Sequence, residues 1–252
     1  MKTHPRSKKL IFVLGTGRSG THLLGRTISS HPKVEGHIED GKYFHPAVNV
    51  AIKQDISNSI YNYVQKNKLI HKYKKLLKQS EADYILDKTH PVIWFAETMM
   101  NKIPESIFVG IIRNAYQTVS SMLNHQGVLE WYSKLPQDKP NRFLGITEEN
   151  KTFFKDLPIE SKCTYRWLSH KKELIRLTHT LKDRYLLFDY NDFINNIDDS
   201  LNKLSDFLGL NNHFHPEKLK TESLDKWKTY LNEDQIKNID SIVNNYYVNE
   251  PD

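Results

Sequence analysis

A short apolar run, Leu10, Ile11, Phe12, Val13 and Leu14, ends in the turn Gly15-Thr16-Gly17-Arg18-Ser19-Gly20. A helical pattern starts directly behind it at Thr21, His22, Leu23 and Leu24. A continuous apolar stretch this short reads as a strand buried on both faces. Glycines let the backbone curl until several N–H groups and the new helix N-terminus point at one anion. The spacing from Gly15 to Gly20 is that of a Walker-type phosphate loop, Gly-x-x-x-x-Gly. Yet Thr21 and His22 stand where a nucleotide triphosphatase carries Lys and then Ser or Thr, and the only cation inside the loop is Arg18. The pattern predicts a phosphate cradle whose charge has been relocated, and it weighs against ATP hydrolysis.

The same alternation continues along the chain. Further buried strands are expected at residues 84–87, 106–112 and 185–188. Helices are expected at 21–30, from about 47 to 78, around 93–101, and at 115–124, 161–181 and 198–208. Residues 35–42 read as a polar connection. Residues 126–158 have poor periodicity with several prolines and glycines, and read as an irregular insertion or lid. Strands alternating with helices predict an α/β fold, three layers (α/β/α) around a central parallel sheet, of the P-loop nucleotide-binding type. At 252 residues one domain spanning the chain is expected. In such sheets a ligand sits beyond the carboxyl ends of the strands. The glycine loop, Lys88 and Arg113 each follow a predicted strand, so three polar clusters should converge on one crevice.

These residues resemble a known family. The Gly15–Leu24 segment, with His31 and Pro32 beyond it, looks like the 5′-phosphosulfate loop of sulfotransferases that use 3′-phosphoadenosine 5′-phosphosulfate (PAPS). Arg113, followed eight residues on by Ser121, resembles their 3′-phosphate motif. The segment Leu86-Asp87-Lys88-Thr89-His90-Pro91 is similar to their central lysine motif. Residues 186–193, then 204–209, resemble a late strand-and-helix signature, and Trp227-Lys228 a C-terminal Trp–basic pair. The resemblance runs from about residue 9 to about 242. It implies that Gly17, Arg18, Ser19, Gly20, Thr21 and His22 hold the 5′ end of the donor, and that Arg113 and Ser121 grip the 3′-phosphate. It implies that Lys88 sits by the bridging oxygen, with no metal required. Sulfuryl transfer is an in-line displacement that builds negative charge on the bridging and leaving oxygens, so positioning and cationic stabilisation suit it.

An acceptor hydroxyl needs a general base. Glu39 stands where the branch of glycan and tyrosyl-protein enzymes places a catalytic Glu, and Asp40 is one residue away. His90 stands where the cytosolic small-molecule branch places its His. Glu39 comes first, because the loop is closer to the glutamate branch. One departure is Asn191, where the family commonly has Glu; a structural consequence alone is expected. The acceptor is expected to be a carbohydrate, small-molecule or lipid-like hydroxyl, with an amine as a variant, walled by Trp131, Tyr132 and Phe143 of the insertion. His31, His45 and His125 read as surface or packing residues, and Trp167 and Trp227 as packing.

The net charge of +6 fits an anionic partner. The lysines of residues 66–78 read as an exposed helix face rather than a nucleic-acid site. The single cysteine, Cys163, excludes an intrachain disulfide and a multi-cysteine metal site. The N-terminal residues lack an apolar signal core, and the apolar runs fall short of the roughly 20 residues of a membrane span. The protein is therefore expected in the cytoplasm. Two rival readings stand beside the sulfotransferase. One is a P-loop kinase with a degenerate loop, Asp87 serving as its magnesium acid; the other is a non-catalytic polyanion-binding protein.

Overall fold

The computed structural model describes residues 8–55, 59–217 and 224–249; residues 1–7, part of the N-terminal reading, lie outside them. The apolar run forms β1 (Lys9–Gly15) and the pattern behind the glycine turn forms α1 (Thr21–Ser29). Then come β2 (Val34–Ile38), α2 (Gly41–Lys53), α3 (Ser59–Gln79), β3 (Tyr84–Lys88), α4 (Ala96–Lys102) and β4 (Ser106–Ile112). After them follow α5 (Ala115–Leu123), α6 (Gln126–Lys134), α7 (Ile159–Leu181), β5 (Tyr185–Asp189), α8 (Tyr190–Asn195) and α9 (Ile197–Leu208). Two further helices are α10 (Trp227–Tyr230) and α11 (Glu233–Asn249).

The strands make one parallel sheet in the order β2-β3-β1-β4-β5. β1 lies at its centre, with Ile11 opposite Leu86 on one side and Ile107 on the other. Side chains alternate across the pleat, so each face of β1 enters its own core. Leu10, Phe12 and Leu14 pack with Phe108, Met99 and Leu174 under α2 to α5 and α7. Ile11 and Val13 pack with Leu24, Phe193 and Leu204 under α1, α8 and α9. From β1 the chain moves outward to β2, returns to β3, then crosses β1 to β4. The reversal opens a crevice at the carboxyl ends beside β1.

The structure departs from the sequence-based expectations in four places. Residues 35–42 are not a plain connection: they carry most of β2, an edge strand, and the start of α2. Glu35, Gly36 and His37 hide that strand, because two polar side chains and a glycine leave its pattern weak. The helical stretch expected from 47 to 78 is two helices, α2 and α3. The helix around 93–101 opens as a 3-10 turn over His90–Phe95 before α4. Finally, the insertion at 126–158 contains α6, and its aromatics turn inward: Phe143 and Tyr132 are buried and Trp131 packs edge-on against Phe143. They form core rather than an open acceptor wall. Among the described residues no helix is long and apolar enough to cross a membrane.

Candidate active site

The loop from Gly15 to Gly20 connects the centre of the sheet to α1. Gly20, at φ 98°, holds the left-handed turn that starts the helix, and a Cβ there would lie 2.4 Å from the Tyr190 ring. Ser19 closes the turn by donating from Oγ to the Thr16 carbonyl at 2.7 Å and from its N–H to the same oxygen at 3.1 Å. Among the described residues the N–H groups of Thr21, His22 and Leu23 have no acceptor, and no side chain caps α1. A helix N-terminus with free donors and no cap carries partial positive charge suited to an anion.

On the β2–β3 side, Lys88 ends β3 with its side chain 1% exposed. Its stem lies over Gly25 of α1, where a Cβ would meet Lys88 Cγ at 3.0 Å. The ammonium donates to Glu39 Oε1 and lies 3.1 Å from His22 Nδ1. Burial lowers the Lys88 pKa, with Arg18 adding to that shift while Glu39 opposes it. Burial works to raise the Glu39 carboxyl, but the neighbouring imidazoles of His22 and His90 and the charge and hydrogen bond of Lys88 overcome it and hold the group well below the ordinary carboxylate range. The pair is therefore ionic. His22 Nε2 stands 3.5 Å from Glu39 Oε2 and His90 Nδ1 stands 3.7 Å from Oε1. His90 is buried against the loop, its Nε2 3.4 Å from where a Cβ on Gly17 would sit, and burial pushes its pKa down to about 4. It is a neutral imidazole at ordinary pH.

Asp40, the neighbouring acid, is occupied differently. Its carboxylate caps α2 by accepting from the Lys42 N–H at 2.9 Å. Asp87 also lies apart from the crevice: it is fully buried and accepts from Tyr73 at 2.7 Å and Thr89 at 3.0 Å.

On the β4–β5 side, Arg113 leaves β4 and lays its guanidinium 4.2 Å from the centre of the Tyr190 ring. It donates to Gln117 at 3.0 Å and reaches the Arg18 carbonyl at 3.5 Å. Arg18, with φ 78°, turns its exposed side chain toward Ser121, Nε to Oγ 3.1 Å, rather than back over its own loop. Ser121 sits within the first two turns of α5. A cavity of about 270 Å³ is lined here by Arg113, Gln117, Ser121, Lys226, Trp227 and Tyr230. Burial lowers the Arg113 pKa, and Arg18 adds its repulsion. Arg18 thus acts electrostatically on both Lys88 and Arg113, as cations gathered for an anion do.

All five strand ends contribute. Across the sheet stand Glu39, Lys88, the glycine loop, Arg113 and Tyr190, in the spatial order of β2, β3, β1, β4 and β5. The structure brings together Gly17, Arg18, Ser19, Gly20, Thr21, His22, Glu39, Lys88, His90, Arg113 and Ser121. Sequence reading missed Tyr190 and Gln117 as parts of the site; the position of Tyr190 directly after β5 is the signal that could have found it. Trp227, read as packing, stacks on Tyr116 at 4.7 Å and also lines the cavity. Trp167 does pack, donating to the Arg113 carbonyl at 2.8 Å.

Known proteins share this family and fold. The family model described as the sulfotransferase family matches residues 11–215. The sulfotransferase domain of the Synechococcus PCC 7002 olefin synthase is similar in structure, with TM-score 0.53 and 15% identity over 96% of this chain and 98% of that one. A sulfotransferase from Alicyclobacillus acidocaldarius is similar at TM-score 0.52 and 13% identity, covering 96% of each chain. Mouse sulfotransferase SULT7A1, complexed with PAP, is similar at TM-score 0.53 and 16% identity, covering 96% of this chain and 85% of that one. At such identities the likeness is one of fold. No curated protein matches the chain in sequence.

Proposed function

The chain belongs to the sulfotransferase family, and from that premise we propose that it moves a sulfuryl group from PAPS to a hydroxyl of a small-molecule, carbohydrate or lipid-like acceptor. One observation carries the reading: two cationic groups, Lys88 with the loop and Arg113 with Arg18 and Ser121, lie on opposite sides of one glycine cradle. A donor with a phosphosulfate at one end and a 3′-phosphate at the other needs two such anion sites.

The residues fit the donor. The α1 N-terminus presents uncapped N–H groups, and the lack of a side chain at Gly17 and Gly20 lets the loop close against His90 and Tyr190. In this reading the uncapped N–H groups at the start of α1 and the Thr21 hydroxyl hold the 5′ end, while Ser19 braces the turn through Thr16. Arg113 and Ser121 hold the 3′-phosphate, with Arg18 between the two ends. When bound, the donor supplies the sulfuryl group and the leaving adenosine 3′,5′-bisphosphate. Lys88 turns its ammonium to the bridging oxygen and neutralises the charge gathering there, which a compact ammonium does without magnesium. Glu39 takes the hydroxyl proton as the oxygen attacks sulfur. His90, neutral and wedged between Glu39 and the loop, excludes water and keeps the carboxylate facing the crevice. The reaction is placed in one domain and in the cytoplasm, in keeping with a lone buried cysteine.

Calorimetry tests the donor. Adenosine 3′,5′-bisphosphate should bind more tightly than ATP with magnesium, and labelled sulfuryl should pass from PAPS to members of a panel of hydroxyl acceptors. Tighter ATP binding would transfer the site to the kinase reading. Salt-sensitive polyanion binding without bisphosphate binding would favour the non-catalytic one.

A further inference from the structure

His22 occupies the second position of α1, its side chain 43% exposed. Its two nitrogens face different partners. Lys88 Nζ lies 3.1 Å from Nδ1, and an ammonium can only donate, so Nδ1 accepts and the ring proton resides on Nε2. Nε2 in turn lies 3.5 Å from Glu39 Oε2, while Lys88 donates to Oε1. The carboxylate thus faces a different partner at each oxygen: a hydrogen bond from Lys88 at Oε1 and the longer approach of His22 at Oε2. Both nitrogens are turned to the Lys88–Glu39 pair.

We propose that His22 is a positioning residue that aims Glu39 through its Nε2–H, and that it is not a ligand of the donor's phosphates. This rests on Glu39 being the general base. The Lys88 ammonium has three N–H donors to divide among Glu39, His22 and a bridging oxygen. As it turns to the donor, Oε1 is released to accept the hydroxyl proton and Oε2 stays turned to His22. The new S–O bond forms to the acceptor oxygen, the bridging S–O bond breaks, its electron pair leaves with the bisphosphate, and the proton remains on Glu39. The hold matters because Glu39 has φ 51°, a left-handed backbone that a non-glycine residue keeps only under constraint. The charged and titratable groups around this contact are Lys88, Glu39, His90 and, at longer range, Arg18. Asp87, one residue from Lys88, is turned to Tyr73.

Two variants of the full chain separate the roles. His22→Asn keeps a polar atom near Nδ1 but falls short of Oε2, whereas His22→Gln reaches Oε2 with an N–H. The Glu39 carboxyl is followed by carbon-13 NMR titration, its signal assigned with Glu39→Gln, and adenosine 3′,5′-bisphosphate affinity by calorimetry. The expected result is a Glu39 midpoint that rises in His22→Asn and returns toward wild type in His22→Gln, with bisphosphate affinity within about twofold in both. An unchanged Glu39 titration in His22→Asn, or a tenfold loss of bisphosphate affinity in both variants, overturns the proposal. If wild type binds no bisphosphate while the Glu39 shift is seen, the donor reading fails and the coupling of His22 to Glu39 stands.

Discussion

Lys88 and Glu39 grip each other twice across the ends of neighbouring strands. The Glu39 N–H donates to the Lys88 carbonyl at 3.2 Å, and the Lys88 ammonium donates back to the Glu39 carboxylate. The backbone bond extends the β2–β3 pairing by one residue and fixes where the side chains meet. The ion pair then sits half-sheltered at the mouth of the crevice, with the ammonium buried and the carboxylate 30% exposed.

Glu39→Gln keeps the shape and removes the base. Turnover should fall by at least about a hundredfold, the usual range for a lost general base, while bisphosphate affinity stays within about twofold. Asp40→Ala is the control: loss of the α2 cap should cost about 1 kcal/mol of stability with turnover retained. Single-turnover rates and denaturant unfolding read the two effects separately.

Lys88→Met removes the buried cation and leaves Glu39 without its counter-charge. Breaking a buried pair is strongly destabilising, and with Glu39 partly open the loss should be about 3 kcal/mol. Turnover should fall further than donor affinity. Rapid-quench rates alongside calorimetry check the split.

Arg113→Ala should weaken adenosine 3′,5′-bisphosphate by about 1.5–3 kcal/mol, the worth of a charged hydrogen bond. Adenosine 5′-phosphosulfate, which lacks the 3′-phosphate, should bind variant and wild type alike. Equal losses for both ligands would place Arg113 elsewhere on the donor.

Gly20→Ala tests the cradle. The residue holds φ 98°, and the added methyl would collide with the Tyr190 ring. A stability loss of about 1–3 kcal/mol is expected from backbone strain and overpacking, together with weakened bisphosphate binding. Paired thermal unfolding and calorimetry measure both.

Asp87 gives a pH signature. Burial pushes its carboxyl from the ordinary 3.8 up to about 7. Between those values the unfolded chain has lost a proton that the folded chain keeps, so folding weakens as pH rises through that window. Relative to Asp87→Asn, wild type should therefore lose stability from about pH 4 to about pH 7, by up to about 4 kcal/mol. The difference should be flat above that. Urea unfolding of both proteins at several pH values gives it directly, because the opposing titration of His90 is common to both.

What the chain determined by itself is local. A short apolar run, a glycine at each end of a tight turn and a helical pattern dictate β1, the cradle and α1 through backbone sterics and side-chain period. The same logic located β3, β4, β5 and the cations Lys88 and Arg113 at the ends of two of them. Tertiary structure decided what depends on contacts between distant segments. β2 exists because its backbone pairs with β3, although Gly36 and two polar neighbours give it little strand character. Glu39 and Asp40 are adjacent and chemically alike. One meets Lys88 because of strand register, and the other is consumed by a helix cap. Arg18 points to Ser121, 103 residues away, and the aromatics of the insertion close on Arg166 of α7 rather than on an acceptor. Periodicity reports which face a residue shows, but the partner it meets there is set by how the layers pack.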